Sequence, residues 1–123
     1  MSDTIHVQAF HNLTPSFLGY HPGARMVRVF AADQPSTGDV TAVCDAVFML
    51  LNIGDDPQFG VPDPRAVQYR ARGNRSLSMG DVIALSCGPD ADPDYYAISS
   101  AGFIPVEAPN IVTVAGHCTT PLP

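Results

Sequence analysis

One segment of the sequence has the apolar spacing of a helix, and it restricts the possible fold more than any other feature. Its large apolar side chains recur at intervals of three and four residues, as Val40, Val43, Val47 and Leu50. Ser36 is a suitable N-cap, and Asp39 falls in the first turn, where negative charge suits the helix dipole. Gly54 is a natural stop. The pattern predicts one main helix from about Ser36 to Asn52.

The other sides of this helix are also largely apolar, because Ala42, Ala46 and Met49 occupy them. A helix that is apolar on all sides is usually buried on all sides. The sequence therefore predicts that this helix packs against the rest of the domain through more than one face.

Short segments of alternating apolar and polar residues flank the helix and predict β-strands. They are residues 5–10, 26–30, 81–85, 95–98 and 102–106. A loop rich in Gly, Pro and Asp at 88–94 predicts a hairpin, and Pro64, with Asp63 as its cap, predicts a short helix that ends at Gly73. This order indicates an α+β domain, with a small antiparallel sheet packed against one main helix or partly closed into a barrel.

Length and composition fit a single globular domain, 1–123, because 46% of the residues are hydrophobic and only 15% are charged. The formal net charge of −6 disfavours binding to nucleic acid through bulk charge. The N-terminal residues lack the pattern of a secretion signal, and no apolar run is long enough to span a bilayer. The expectation is a cytoplasmic protein with reduced thiols and no membrane partner.

No metal or cofactor site is predicted. The three cysteines, Cys44, Cys87 and Cys118, are widely spaced, and Cys44 falls on the apolar side of the main helix. Two groups of aspartates could bind a hard cation: Asp55, Asp56 and Asp63, and Asp90, Asp92 and Asp94. Both lack the spacing and the closing glutamate of a calcium loop, so turn formation is the favoured interpretation.

No catalytic residue is predicted either, and an enzyme is the less favoured class. The four histidines are scattered, as His6, His11, His21 and His117, and Ser76 and Ser78 lack the G-x-S-x-G pattern of a nucleophile elbow. Cys118 with His6 or His117 remains a candidate nucleophile–base pair. A small hydrolase or nuclease would need a constellation that only the folded chain brings together.

Four of the six arginines lie between positions 65 and 75, and the chain has no lysine. Arginine binds carboxylates and phosphates through paired hydrogen bonds, and Arg and Tyr are frequent at protein interfaces. Arg65, Tyr69 and Arg72 would share one helix face, while Val67 and Ala71 would face the core. The segment predicts a partner-binding set and a separate loop clamp. The binding set is Arg65, Tyr69, Arg70, Arg72 and Asn74, and the clamp is Arg75 with Asp81.

The same stretch resembles a known family. Arg75-Ser-Leu-Ser-Met-Gly-Asp-Val-Ile83, followed by Ala101-Gly-Phe-Ile-Pro-Val106, is similar to the YodL-like small domains. It is also similar to uncharacterised actinobacterial and phage proteins with an RSLSxGDV motif. The resemblance covers about residues 40–106. It implies an accessory protein of bacteria or mobile elements, with unsettled biochemical activity and no catalytic residues to transfer.

Together these observations favour a non-enzymatic accessory protein of a phage or mobile element that binds a host macromolecule, most readily a protein, through the arginine segment. A nucleic-acid or nucleotide binder that uses the same arginines is the alternative, with weak affinity expected, and a small hydrolase or nuclease is the third class. The apolar tail, 107–123, predicts an extra strand or a contact between copies of the chain. Leu77 and Met79 are predicted to point inward.

Overall fold

The computed structural model describes residues 4–13, 20, 24–36, 38–88 and 90–112. The fold is α+β, as the sequence predicts, with one curled six-stranded sheet and two helices. The strands are β1 (Thr4–Asn12), β2 (Arg25–Pro35), β3 (Val82–Ser86), β4 (Asp94–Ser99), β5 (Gly102–Val106) and β6 (Asn110–Ile111). The helices are α1 (Val40–Ile53) and α2 (Pro64–Ala71), with a single 3₁₀ turn, Pro57–Phe59, between them.

The sheet has the strand order β5-β4-β3-β1-β2-β6. All neighbouring strands are antiparallel except β2 and β6, which pair in parallel at Arg25 and Met26. β6 is therefore a short extra strand from the predicted tail, and residues 113–123 lie outside the described residues. In the part of the chain that the structure describes, no helix combines the length and apolar character needed to cross a membrane.

The main core forms where α1 covers one face of the sheet. The buried side of α1 consists of Val43, Cys44, Val47, Leu50 and Leu51, and Cys44 is the core residue that its position predicts. These side chains pack against Val7, Ile83, Leu85 and Ile98 from the central strands. Burial of such side chains stabilises the fold by roughly 1.5–3 kcal/mol each. The predicted packing of the main helix across the sheet is confirmed.

The start of α1 differs from the prediction. Asp39, and not Ser36, is the N-cap, because its carboxylate accepts a hydrogen bond of 3.0 Å from the Thr41 N–H. Gly38 has a φ of +80°, which helical residues do not adopt, so the chain turns between Ser36 and the helix. The Ser36 hydroxyl accepts from the Gly38 N–H within that turn.

The outer side of α1 is a second correction. Ala42, Ala46 and Met49 were expected to be buried, but all three are exposed. The physical reason is that one sheet covers only one side of a helix, and α2 contacts α1 near its C-terminal end through Ala66 and Gly54. An apolar strip on α1 therefore faces solvent.

α2 begins as predicted, with Asp63 as the N-cap and Pro64 at the first position. Its buried face differs, because Ala66 and Tyr69 enter the core while Val67 and Ala71 are exposed. Of the two residues after the helix that are predicted to point inward, Leu77 is buried and Met79 is exposed.

Candidate functional site

Arg75 and Asp81 form a bidentate ion pair that holds the loop between α2 and β3. The two guanidinium N–H groups donate to the Asp81 carboxylate at 2.7 and 2.8 Å. Asp81 is fully buried, and each of its oxygens accepts one more hydrogen bond, from the Asn12 and Ser78 backbone N–H groups. The hydrogen bonds that Arg75 donates to this carboxylate also raise the pKa of Arg75. The pair thus fixes the loop to β1, which is the clamp geometry expected for these two residues.

Tyr69 lies in the core and presents no ring face to a partner. Its hydroxyl donates to the Arg75 carbonyl at 2.6 Å, so His11 Nε2, 2.7 Å away, must be the donor to the phenol oxygen. Burial raises the pKa of Tyr69. Asn74 is also buried, and its Nδ2 donates to the Tyr69 carbonyl. These two members of the predicted binding set are internal, because the aromatic ring provides the core contact that anchors α2.

Arg70 is occupied by the same internal network. One of its terminal nitrogens donates to the Asn52 carbonyl at 2.9 Å and to the Ser76 hydroxyl. Its Nε lies 3.9 Å from an Asp55 oxygen. The Asn52 side chain in turn bonds both the N–H and the carbonyl of Leu77. Arg70 therefore connects the end of α1 to the loop after α2, which its sequence position could not show.

Arg65 and Arg72, like Arg70, are partly exposed. Arg65 pairs with Asp63 at 2.9 Å and also donates to the Gln34 side chain. The hydrogen bond from Arg65 lowers the pKa of the Asp63 carboxyl. Arg72 forms no ion pair with any described residue. The arginine segment therefore does not form one continuous cationic surface.

The sheet places a serine, a histidine and an aspartate side by side on the face opposite α1. His6 is in register with Ser86 on β3 and with Asp33 on β2, and its Nδ1 lies 3.1 Å from Asp33. A serine hydrolase needs a hydrogen bond from the nucleophile to the histidine base. The Ser86 hydroxyl instead donates to the Gly88 carbonyl, and both Ser86 and His6 are buried. This row lacks the bond that would activate a nucleophile.

The other candidate chemistry gains no support from the geometry. Across the part of the chain with described placement, no three His, Cys, Asp or Glu side chains meet in a way that could hold a metal ion. The candidate thiol Cys118 and His117 lie outside the described residues.

An additional groove, absent from the predictions above, lies between α1 and the 3₁₀ turn. It encloses about 310 Å³, and Ala46, Met49, Leu50 and Ile53 from α1 line one wall. The segment after α1 contributes Phe59 and Val61 to the lining, together with Gly60, Asp56 and the Asp63–Arg65 pair. Phe59 is 65% exposed, Val61 96% and Met49 47%. The signal in the sequence was a Phe and a Val among the turn residues of positions 55–64, where large apolar side chains have no strand or helix to join.

The rim of this groove carries more negative than positive charge. Asp56 and Asp63 line it with Arg65, so its charged lining has two carboxylates and one guanidinium. Asp45 lies outside this lining, exposed on α1 one turn before Met49. Asp63 and Arg65 neutralise each other. We call the exposed apolar side chains Met49, Phe59 and Val61, with the groove between them, the α1 groove.

Comparison with known proteins gives no relative: no family model, no curated protein and no solved structure matches the chain.

Proposed function

We propose that the chain is a non-enzymatic protein-binding module that acts through the α1 groove. The observation that carries this proposal is the simultaneous exposure of Met49, Phe59 and Val61 along one concave surface. Exposed apolar side chains that line a groove with a polar rim are typical of protein-interaction sites. Single exposed apolar residues elsewhere on the surface carry no such meaning.

A protein partner also suits the arginine segment better than nucleic acid does. Arg70 and Arg75 are engaged with groups inside the domain, and Arg65 is neutralised by Asp63. Only Arg72 remains in this segment to contact phosphates without giving up an ion pair or a buried hydrogen bond. Nucleic-acid affinity depends on several such contacts, so the nucleic-acid alternative loses its main support. Arg65 stays in the proposal as a rim residue of the groove.

The RSLSxGDV motif keeps a role in the proposal, as a determinant of the fold. Arg75, Leu77 and Asp81 within it form the loop clamp and a core contact. The accessory role in a phage or mobile element, with a host protein as partner, rests on the resemblance alone.

The experiment is site-specific photo-crosslinking in cells that encode the chain. A benzophenone amino acid at Phe59 should yield an adduct with a second protein, and Met49→Asp in the same chain should abolish it. The same probe at Ile104, which is exposed on β5, is the matched control and should yield no such adduct. Equal adducts at both positions, or none at Phe59, would contradict the proposal.

A further inference from the structure

We infer that the α1 groove binds a cationic amphipathic helix of its partner protein. This inference rests on the proposed function and names the chemistry of the occupant. It combines the shape of the groove, the kind of groups that line it, and the sign of the charge around it.

The lining of the groove selects a helix over an extended segment. The apolar lining comes from α1 and from Phe59 and Val61 after it. Gln34 of β2 is the one strand residue in the described lining, and it is buried, with its side-chain oxygen accepting a hydrogen bond from Arg65. An extended peptide would leave its backbone N–H and carbonyl groups without partners against apolar side chains, which costs free energy for each buried group. A helix satisfies these groups internally and offers apolar side chains at positions i, i+3, i+4 and i+7.

The positions of the apolar side chains fit such an occupant. Met49 and Ile53 are one turn apart on α1, and Phe59 and Val61 line the same groove from the segment that follows α1. The small side chain of Ala46 leaves room beside α1, which allows a helix to approach α1 closely. Phe59 and Met49 are the expected main contacts, because an aromatic ring and a flexible thioether adapt well to apolar partners.

The charge around the groove selects a basic occupant. Asp45 and Asp56 carry charges without a cationic partner among the described residues, while Asp63 is neutralised by Arg65. Lys or Arg side chains that flank the apolar face of a helix would lie near these two carboxylates. Opposite charges across an interface raise the association rate and exclude partners of the wrong sign.

The same charge argues against a second copy of the chain as the occupant. A symmetric dimer through this groove would place the acidic side chains of both copies in one interface, and each chain has a formal net charge of −6. Like charges opposite one another at an interface are strongly unfavourable. Self-association through the groove is therefore an outcome that would overturn the inference.

The test uses the full chain and three synthetic peptides of about 18 residues, long enough for five helical turns. The first has leucines on one helical face flanked by lysines. The second has the same leucines flanked by glutamates, and the third has the composition of the first in a scrambled order without an apolar face. Binding is measured by fluorescence anisotropy with labelled peptide. We expect the lysine peptide to bind at least about tenfold more tightly than either of the others.

Two variants locate the site and the charge effect. Phe59→Ser should weaken the lysine peptide by about tenfold or more, as expected for a central apolar contact, while Val67→Ser on the exposed face of α2 should leave its affinity unchanged. The double substitution Asp45→Lys and Asp56→Lys should reverse the preference toward the glutamate peptide. Circular dichroism of each variant establishes that the fold is retained.

The outcomes separate this inference from the proposed function. Equal binding of the lysine and scrambled peptides, a preference for the glutamate peptide by the parent chain, or no binding would overturn the inference. Dimerisation of the parent chain that Phe59→Ser abolishes would also overturn it. The crosslinking experiment at Phe59 is independent of peptide charge, so a specific adduct with a non-helical or acidic segment would retain the proposed function and reject only the helix.

Discussion

Asp81 is the side chain on which the loop after α2 depends most. It is fully buried, and its two oxygens accept four hydrogen bonds, two from Arg75 and one each from the Asn12 and Ser78 N–H groups. Removal of one partner of a buried ion pair leaves an uncompensated charge, which costs more than the pair contributes. The Arg75 side chain is half exposed, whereas Asp81 is buried. Water therefore reaches the pair only from the arginine side, where it can offset part of the cost of losing the arginine.

We expect Arg75→Ala to lower the free energy of unfolding by about 2–3 kcal/mol, somewhat less than for a fully buried pair. Arg72→Ala is the matched control and should change it by less than about 0.5 kcal/mol, because Arg72 forms no ion pair in the described structure. Urea unfolding measures both. Amide exchange at 73–80 should accelerate in Arg75→Ala alone, and equal protection in the two variants would show that the clamp does not order the loop.

Because of Cys44, the free energy of unfolding should depend on pH in the alkaline range. Burial raises the pKa of its thiol to about 12, whereas an unfolded cysteine has a pKa of about 8.5. The folded state keeps a proton that the unfolded state releases, so this contribution to stability is complete below about pH 8.5 and is lost as the pH rises toward 12. Between pH 8 and pH 10 the loss should reach about 2 kcal/mol.

Urea unfolding at pH 8 and pH 10 tests this expectation. Cys44→Ala should be less stable than the parent at pH 8 because it leaves a cavity. Its stability should nevertheless fall less between the two pH values, since the titrating thiol is gone. A pH dependence identical to that of the parent would contradict a buried, protonated Cys44.

α1 and α2 show which parts of the fold the sequence could predict. The five predicted strands and both helices exist, because alternation and helical spacing depend on local burial alone. The predictions for the outer face of α1 and for the buried face of α2 were wrong, because the burial of a helix face depends on which neighbours the tertiary fold provides. Tyr69 shows this most clearly: its ring is buried by contacts with His11 and Phe30, from strands far away in the sequence. The predicted binding set includes Tyr69, whose ring lies in the core.

The crossing of α1 and α2 depends on Gly54. A Cβ at this position would lie 3.0 Å from the Ala66 Cβ and even closer to the Leu50 carbonyl oxygen. We expect Gly54→Ala to lower the free energy of unfolding by about 1–3 kcal/mol, as for other overpacked sites. Gly88→Ala is the control, because a Cβ there meets nothing within 4 Å. Thermal melts of both variants measure the effect, and equal melting temperatures would show that the helices can separate at no cost.

The charge of the protein follows from how it builds its loops. Asp39, Asp56 and Asp63 each cap the N-terminus of a helix or turn, and Asp81 is the buried clamp. Arg65 and Arg75 are paired with two of these aspartates, so the clustered arginines serve loops that are rich in acids. The sequence showed both the cluster and the acids, but their pairing depends on distances that only the folded chain sets. The chain keeps a formal net charge of −6, and the proposed partner site is the apolar α1 groove.

Because the core and the groove are separate, polar substitutions of apolar residues should destabilise the fold in the core and should leave its stability almost unchanged in the groove. Val47 is fully buried between α1 and the sheet, so Val47→Asp should unfold the domain, because a buried unpaired charge costs several kcal/mol of a total of about 5–15 kcal/mol. Phe59 and Val61 are exposed, and the double substitution Phe59→Ser and Val61→Ser should shift the melting temperature by less than about 3 °C. The double variant should also bind less of a hydrophobic dye. Calorimetry and dye fluorescence check both results. A fall of more than about 8 °C in the double variant would place these side chains in the folding core, and the groove would then be part of the scaffold, with no surface left over for a partner.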